Sequence, residues 1–258
     1  MSPVALTSAS AETMLALTTG VEFLCLDAGN VVIFLDHARL ARVVTGCGFA
    51  VDAAQLIASE GFAKRAAEHG NVADVPFAYA ALPGARPWAL NMATLLRDAG
   101  VPGPELSSVL DAVWREHAAL NLWNQVPEGL AEALSAYRAQ GGKTALISNS
   151  EGMLEQLFAP MPVRAQLDLL LDSGVVGIEK PDARIFEMAL AHFGVRPDQA
   201  LHLGDTFLTD ILGARAAGLR YALIDPFDQY QGKHADVPRV PSAAAVAQAL
   251  TRTSSKTP

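Results

Sequence analysis

Several apolar runs in this chain end on a residue that can do chemistry. The run 21–27 closes on Asp27, 144–149 on Ser148 and Asn149, and 200–205 on Asp205, with Asp210 five residues further on. In parallel α/β sheets, ligands collect at the carboxyl ends of the strands, where loop amides and helix N-termini converge, so three polar strand ends imply one site. Each residue alone has a plainer reading. A strand-end aspartate is commonly a turn or cap residue, and Ser148 can cap a helix beginning at Glu151. Lys180 can be a solvated loop lysine before Pro181, and Asp210 can complement the dipole of a helix start. It is the combination that points to a site.

The same pattern contains the elements that must position these groups. Runs at 21–27, 144–149, 200–205 and 220–225 are nearly continuous in apolar residues, as strands buried on both faces are. Segments of helical period lie between them at 128–140, 151–158, 182–192 and 209–217, with Gly141, Gly194 and Gly218 where such helices should stop. This alternation predicts an α/β core, a Rossmann-like parallel sheet with helices on both faces. Between 36 and 125, helical patterns at about 38–46, 53–68, 87–98 and 104–119 follow one another without a strand. They predict a helical insertion after the first strand, with a core of 1–35 and 126–258 and an inserted domain of 36–125. The opening 1–20 reads as a ragged tail or as a short helix started by Ser10, and the polar end 251–258 as frayed.

Composition narrows the partners. Of 258 residues, 51% are hydrophobic and 18% charged, which suits a core-rich globular chain. With a net charge of −8 and no Lys/Arg cluster, no footprint for nucleic acid or an anionic membrane is present, and a small molecule is the expected partner. No run reaches the ~18 apolar residues of a membrane span, and 1–20 lacks a basic signal-peptide start, so a cytoplasmic location is expected. Cys25 and Cys47 have no metal-ligand spacing and read as buried hydrophobes in a reducing compartment.

Four segments, FLCLDAGNVV, TALISNS, GIEKPDARIF and HLGDTFLTD, stand in this order from about 21 to 225. They resemble the four motifs of the haloacid-dehalogenase superfamily, and the resemblance implies a phosphatase acting on a small phosphorylated metabolite. It implies Asp27 as nucleophile and transient phosphoryl carrier, Ser148 as donor to a phosphoryl oxygen, and Lys180 as the cation that neutralises charge. Asn30 and Asn149 fall on the substrate side, with amides around Ala28, Gly29 and Asn149 cradling the phosphate. Mg²⁺ would be held by Asp27, Asp205 and the Gly29 carbonyl, with Asp210 supporting its waters or orienting Lys180. These roles are chemically coherent. A carboxylate attacks a phosphate dianion only where cations offset the repulsion, and magnesium takes oxygen ligands while retaining water.

One position departs from the family pattern. The usual second aspartate, which protonates the leaving group and later activates water, is Gly29 here, as in a DxGN-type branch similar to bacterial sugar-phosphate phosphatases. Lacking such a group costs about 10²–10⁴ in rate, so substrates with good leaving groups, such as anomeric or acyl phosphates, are expected. Asp36 and His37 stand near the insertion boundary as candidate substitutes, although each also reads as structural. The alternative is a non-catalytic phosphate-binding or regulatory relative. Behind it stand a dehalogenase, which expects an aromatic residue at the Gly29 position, and a phosphonatase, for which Lys64 is the one lysine of the insertion. The insertion occupies the position of the family's cap domain, and Trp88, Trp114, His117, Asn121, Trp123 and Asn124 are its candidate pocket residues. The tryptophans also read as core. His192, His202 and Cys25 read as packing residues.

Overall fold

The computed structural model describes residues 9–82, 84–150, 152–230 and 232–254. Glu151 and the end 255–258 lie outside them. The chain divides into two compact units, one formed by the segments up to Phe34, Gln125–Pro226 and from Gly232 on, the other by Leu35–Asn124 with Phe227–Gln231.

The first unit is built on the strands β1 (Phe23–Leu26), β4 (Lys143–Ser148), β5 (Leu169–Asp172), β6 (Ala200–Gly204) and β7 (Arg220–Leu223), in the order β5-β4-β1-β6-β7. All four adjoining pairs are parallel. β1 and β6 are buried at every residue, in keeping with a sequence there that is apolar except for His202. On one face Phe23, Cys25, Ala145 and Ile147 pack against Ile185, Phe186, Ala189 and Leu190 of the helix Ala183–Phe193. Each such large apolar side chain contributes about 1.5–3 kcal/mol. Helices Leu130–Ala139 and Ala243–Ser254 pack on one another, and the first of them also contacts β4. From β1 the chain continues to β4 and β5 on one side, then returns to β6 and β7 on the other. The topological switch therefore falls at the end of β1, beside Asp27.

Some elements differ from the sequence expectation. β5 was not expected. It is short, and its first two residues are only half-buried, so its LLLD run blends into the preceding turn. The helix expected over 151–158 spans Leu154–Phe158, and that expected over 209–217 begins with a π-helical turn, Phe207–Ile211, before Leu212–Ala216. Ser10 caps the helix Ala11–Thr18, and 251–254 continue the last helix. Cys47 is exposed, at the end of a helix, and is not the buried hydrophobe expected; Cys25 is buried.

The second unit holds four α-helices among its described residues, His37–Gly46, Ala53–Glu68, Ala85–Asp98 and Leu106–Ala119, around Leu40, Val44, Leu56, Met92, Leu96, Leu110 and Val113. Short strands β2 (Phe34–Leu35) and β3 (Trp123–Gln125) pair where the chain leaves and re-enters the first unit, so the 36–125 stretch is not strand-free. Phe227–Gln231 joins this unit from much later in the chain. Phe227 packs against Gly61, where a side chain would collide with it, and the buried Tyr230 hydroxyl donates to Glu68. Among the described residues no helix is long and apolar enough to cross a membrane.

Arg39 ties the ends of this helical unit together. Its guanidinium donates to the Glu116 carboxylate at 2.6 Å and to the carbonyls of Glu116, Leu120 and Asn121 at 2.9, 2.5 and 3.3 Å, capping the helix Leu106–Ala119. Arg39→Ala is expected to lower stability by about 1–2 kcal/mol, seen as an earlier urea midpoint, because three carbonyls and the Glu116 carboxylate lose a charged donor.

Candidate functional site

Asp27 directly follows β1, and its N–H donates to the Leu203 carbonyl at 2.9 Å. The turn after it is tight. Val32 and Ile33 N–H both donate to the Ala28 carbonyl at 2.9 Å, and Asn30 N–H donates to Ile33 at 2.7 Å, so the turn closes without the Gly29 carbonyl. Asn30 has φ 57°, a left-handed conformation that asparagine adopts more readily than most side chains. From there its Nδ2 donates to Asp205 Oδ2 at 3.0 Å, while its buried Oδ1 has no hydrogen-bond partner among the described residues.

Asp205 follows β6. Asp210 comes back over the strand end through the π-helical turn, its Oδ2 accepting from Thr206 N–H at 3.0 Å. This return requires Gly204, because a Cβ there would overlap the Asp210 side chain. Lys180 Nζ donates to Asp27 Oδ1 at 2.5 Å and to Asp210 Oδ1 at 2.6 Å. The lysine backbone is clamped by Asn149, whose Oδ1 accepts from Lys180 N–H at 2.8 Å and whose Nδ2 donates to the Lys180 carbonyl at 2.9 Å. Ser148 ends β4, the strand beside β1. It is buried, and its hydroxyl makes no hydrogen bond among the described residues.

Lys180 is almost equidistant from two carboxylates that move in opposite directions. Burial raises the Asp27 carboxyl; Lys180 opposes this, Asp210 and Asp205 add to it, and the result is about 7. Burial acts the same way on Asp210, but Lys180 and the His202 hydrogen bond outweigh it, and that carboxyl falls well below the usual range. The difference follows from geometry, since Asp210 accepts from Thr206 and His202 as well as from Lys180. Burial disfavours the Lys180 ammonium, yet Asp210 and Asp27 hold its pKa above the ordinary value. Burial lowers the His202 imidazole against the opposing pull of the Asp210 carboxylate.

Three buried carboxylates thus face one ammonium. Oxygen atoms of Asp27, Asp205 and Asp210 lie within 4.8 Å of one another, a donor set that fits a hard divalent cation such as Mg²⁺. The Gly29 carbonyl is free of the turn's bonding and adds a neutral oxygen of the same kind.

The structure brings Asp27, Asn30, Lys180, Asp205 and Asp210 into one cluster, in which Lys180 bonds Asp27 and Asp210 and Asn30 bonds Asp205, with Asn149 holding the lysine from behind. Asp36 and His37 are engaged elsewhere. Asp36 caps its helix by accepting from Arg39 N–H at 2.9 Å, and His37 Nε2 lies 2.7 Å from Glu60 Oε2. Trp88, Trp114 and His117 form an aromatic cluster in the second unit, with ring centroids 4.9–5.5 Å apart and Trp123 5.8 Å from His117. Asn121 and Asn124 shape the turn beside it, Asn121 accepting from Trp123 N–H and Asn124 donating to the Asn121 carbonyl. Sequence reasoning missed Asp172 and underrated His202. Asp172 accepts from the N–H groups of Gly152, Leu154 and Gly174, tying down the loop after Ser148. Its signal was the same strand-end aspartate, on the strand that was not recognised.

Residues 26–218 match the family model described as haloacid dehalogenase-like hydrolase. The mouse protein "Haloacid dehalogenase-like hydrolase domain-containing protein 3" is 36% identical over 136 residues, 51% of this chain and 54% of that protein. A phosphoserine phosphatase of Thermus thermophilus is 36% identical over 131 residues, 50% of this chain and 51% of that protein. The chain thus spans about half the length of these curated relatives. A crystal structure of a dehalogenase with an intermediate complex superposes with a TM-score of 0.58 at 18% identity, over 89% of this chain and 97% of that one, which shows the fold alone.

The two glycines of the site give a contrast in stability. Gly204→Ala is expected to cost about 1–3 kcal/mol in urea denaturation through overlap with Asp210. Gly29→Ala, whose Cβ meets nothing within 4 Å, is expected to stay within about 0.5 kcal/mol of the parent.

Proposed function

The chain belongs to the haloacid dehalogenase-like hydrolases, and from that premise we propose that it is a Mg²⁺-dependent phosphatase of a small phosphorylated metabolite, a sugar phosphate in the first instance, working through an aspartyl-phosphate on Asp27. The observation that carries this reading is the buried Lys180 ammonium shared between Asp27 and Asp210, with Asp205 in reach of both carboxylates. In the first step an Asp27 carboxylate oxygen attacks phosphorus, the phosphorus–oxygen bond to the leaving group breaks, and the departing alkoxide takes a proton from water. In the second, water attacks the phosphoryl group, the bond to Asp27 breaks, and inorganic phosphate leaves. Lys180 offsets the repulsion between carboxylate and phosphate. Ser148 donates its hydroxyl to a phosphoryl oxygen. The N–H groups of Ala28, Gly29 and Asn149, which make no hydrogen bonds among the described residues, suit the remaining phosphoryl oxygens. Asn30 Oδ1 is an acceptor for a ligand hydroxyl or water. Bound by Asp27, Asp205 and the Gly29 carbonyl, with Asp210 in support, Mg²⁺ would supply further positive charge to the phosphoryl oxygens.

Substrate choice is assigned to the inserted domain 36–125 as a cap, with Trp88, Trp114, His117 and Trp123 as its recognition surface. Burial holds the His117 imidazole down at about 4, so this surface is uncharged at neutral pH. The proposed setting is the cytoplasm, in keeping with two free thiols, and the net charge of −8 speaks against nucleic acid as partner. Gly29 favours one second reading, a phosphate-binding protein without turnover. Beryllium fluoride would bind both, whereas a panel of phosphorylated metabolites is turned over by the enzyme alone.

Asp27→Asn is expected to reduce Mg²⁺-dependent hydrolysis of an aryl phosphate by at least about 10³-fold, and chelation of the metal to stop it in the parent; equal turnover by the variant would exclude the covalent step. Because Gly29 supplies no proton, kcat/KM in the parent should fall steeply from aryl to alkyl phosphates. Gly29→Asp, for which the backbone has room, is expected to flatten that dependence and to raise alkyl phosphate turnover by about 10²-fold.

A further inference from the structure

We propose that His202, set by Cys25, is a positioning residue for Asp210, and through it for the Lys180 ammonium. The proposal rests on the phosphatase reading for its kinetic consequences but not for its geometry. Cys25 and His202 are register partners on β1 and β6, so their side chains meet on one face of the sheet, two residues below Asp27 and Gly204. Gly204 has no side chain, and Asp210 fills that space, resting directly above the imidazole. His202 Nε2 lies 3.3 Å from Asp210 Oδ1, and its Nδ1 lies 3.1 Å from Cys25 Sγ. The Phe186 ring stands edge-on to the imidazole at 4.9 Å and fixes its plane. All three polar groups are essentially fully buried.

For a neutral imidazole, one arrangement of protons satisfies this chain of contacts. Asp210 is an acceptor, since Lys180 Nζ and Thr206 N–H already donate to it. Nε2 must therefore carry the ring proton, because its lone pair would otherwise face a carboxylate oxygen in a dry interior. Nδ1 is then an acceptor, and the Cys25 thiol is the group that donates to it. The thiol thus selects the tautomer, the imidazole adds a second donor to Asp210 Oδ1, and the carboxylate is left with one orientation. That orientation holds Lys180 Nζ between Asp210 and Asp27.

Two polar isosteres separate positioning from packing in the full-length protein. The terminal amide nitrogen of Gln reproduces the reach of Nε2, whereas that of Asn reproduces Nδ1 and stops short of Asp210. His202→Asn is expected to lower kcat and Mg²⁺ affinity by about 10-fold or more with KM little changed, while His202→Gln recovers most of both. Cys25→Ala should fall between them. Long-range ¹H–¹⁵N spectra of the parent, assigned with His202→Gln, should show the Nε2–H tautomer, and should show it in the Cys25→Ala variant only in part. An Nδ1–H tautomer in the parent, or equal losses in Gln and Asn variants of equal denaturation midpoint, overturns the proposal. If the parent hydrolyses no phosphate ester, the phosphatase reading fails, and the tautomer with the Mg²⁺ titrations still decides the positioning role.

Discussion

One buried ammonium shared by two carboxylates organises the chemistry of this protein. Desolvating Lys180, Asp27 and Asp210 together costs several kcal/mol per ion, and the mutual attraction returns that only where the geometry is close and the remaining valences are filled. The hydrogen bonds at 2.5 and 2.6 Å meet the first condition. The second is met unevenly. Asp210 is saturated by Lys180, Thr206 and His202, whereas among the described residues the Asp27 carboxylate accepts from Lys180 alone, and it is the more basic of the two. That asymmetry leaves Asp210 to hold the lysine and Asp27 with spare acceptor capacity.

Much of the surrounding structure serves to fix that ammonium. Asn149 grips the Lys180 backbone from the end of β4, so the second and third motifs are joined by two hydrogen bonds. Gly213 allows Pro181, the next residue, to approach within 3.1 Å of where a side chain would begin. Gly204 admits Asp210 to the strand end. Asn30 takes the left-handed turn position and places Asp205 alongside. Three chain segments, remote in sequence, contribute small residues or amides, because such groups allow several charged side chains to converge without steric conflict.

Gly29 is the position where the site departs from the family it belongs to. The space beside it is open, so the missing carboxylate is not excluded by packing. Of the two candidate substitutes in the inserted unit, Asp36 caps a helix and His37 pairs with Glu60. The site therefore has a buried cation among its carboxylates, and a glycine at the position where the family pattern carries a second aspartate.

Local pattern alone identified the α/β core, the parallel strands that carry Asp27, Ser148 and Asp205, and the four helices of the insertion, because periodicity and cap residues report burial over a few neighbouring positions. The resemblance of the four motifs to those of the family nominated Lys180 and Asp210. Local pattern missed β5 with Asp172, whose short run lies beside a half-buried edge, and it did not join Phe227–Gln231 to the helices of Ala53–Glu68. Nor could it tell that Asn30 would hold Asp205, that Asn149 would hold a backbone, or that Cys25 and His202 would meet 177 residues apart. Those contacts depend on the register of β1 against β6 and on the path of two turns. Register is set by packing across the whole sheet, and one residue of slip would carry Cys25 and His202 to opposite faces.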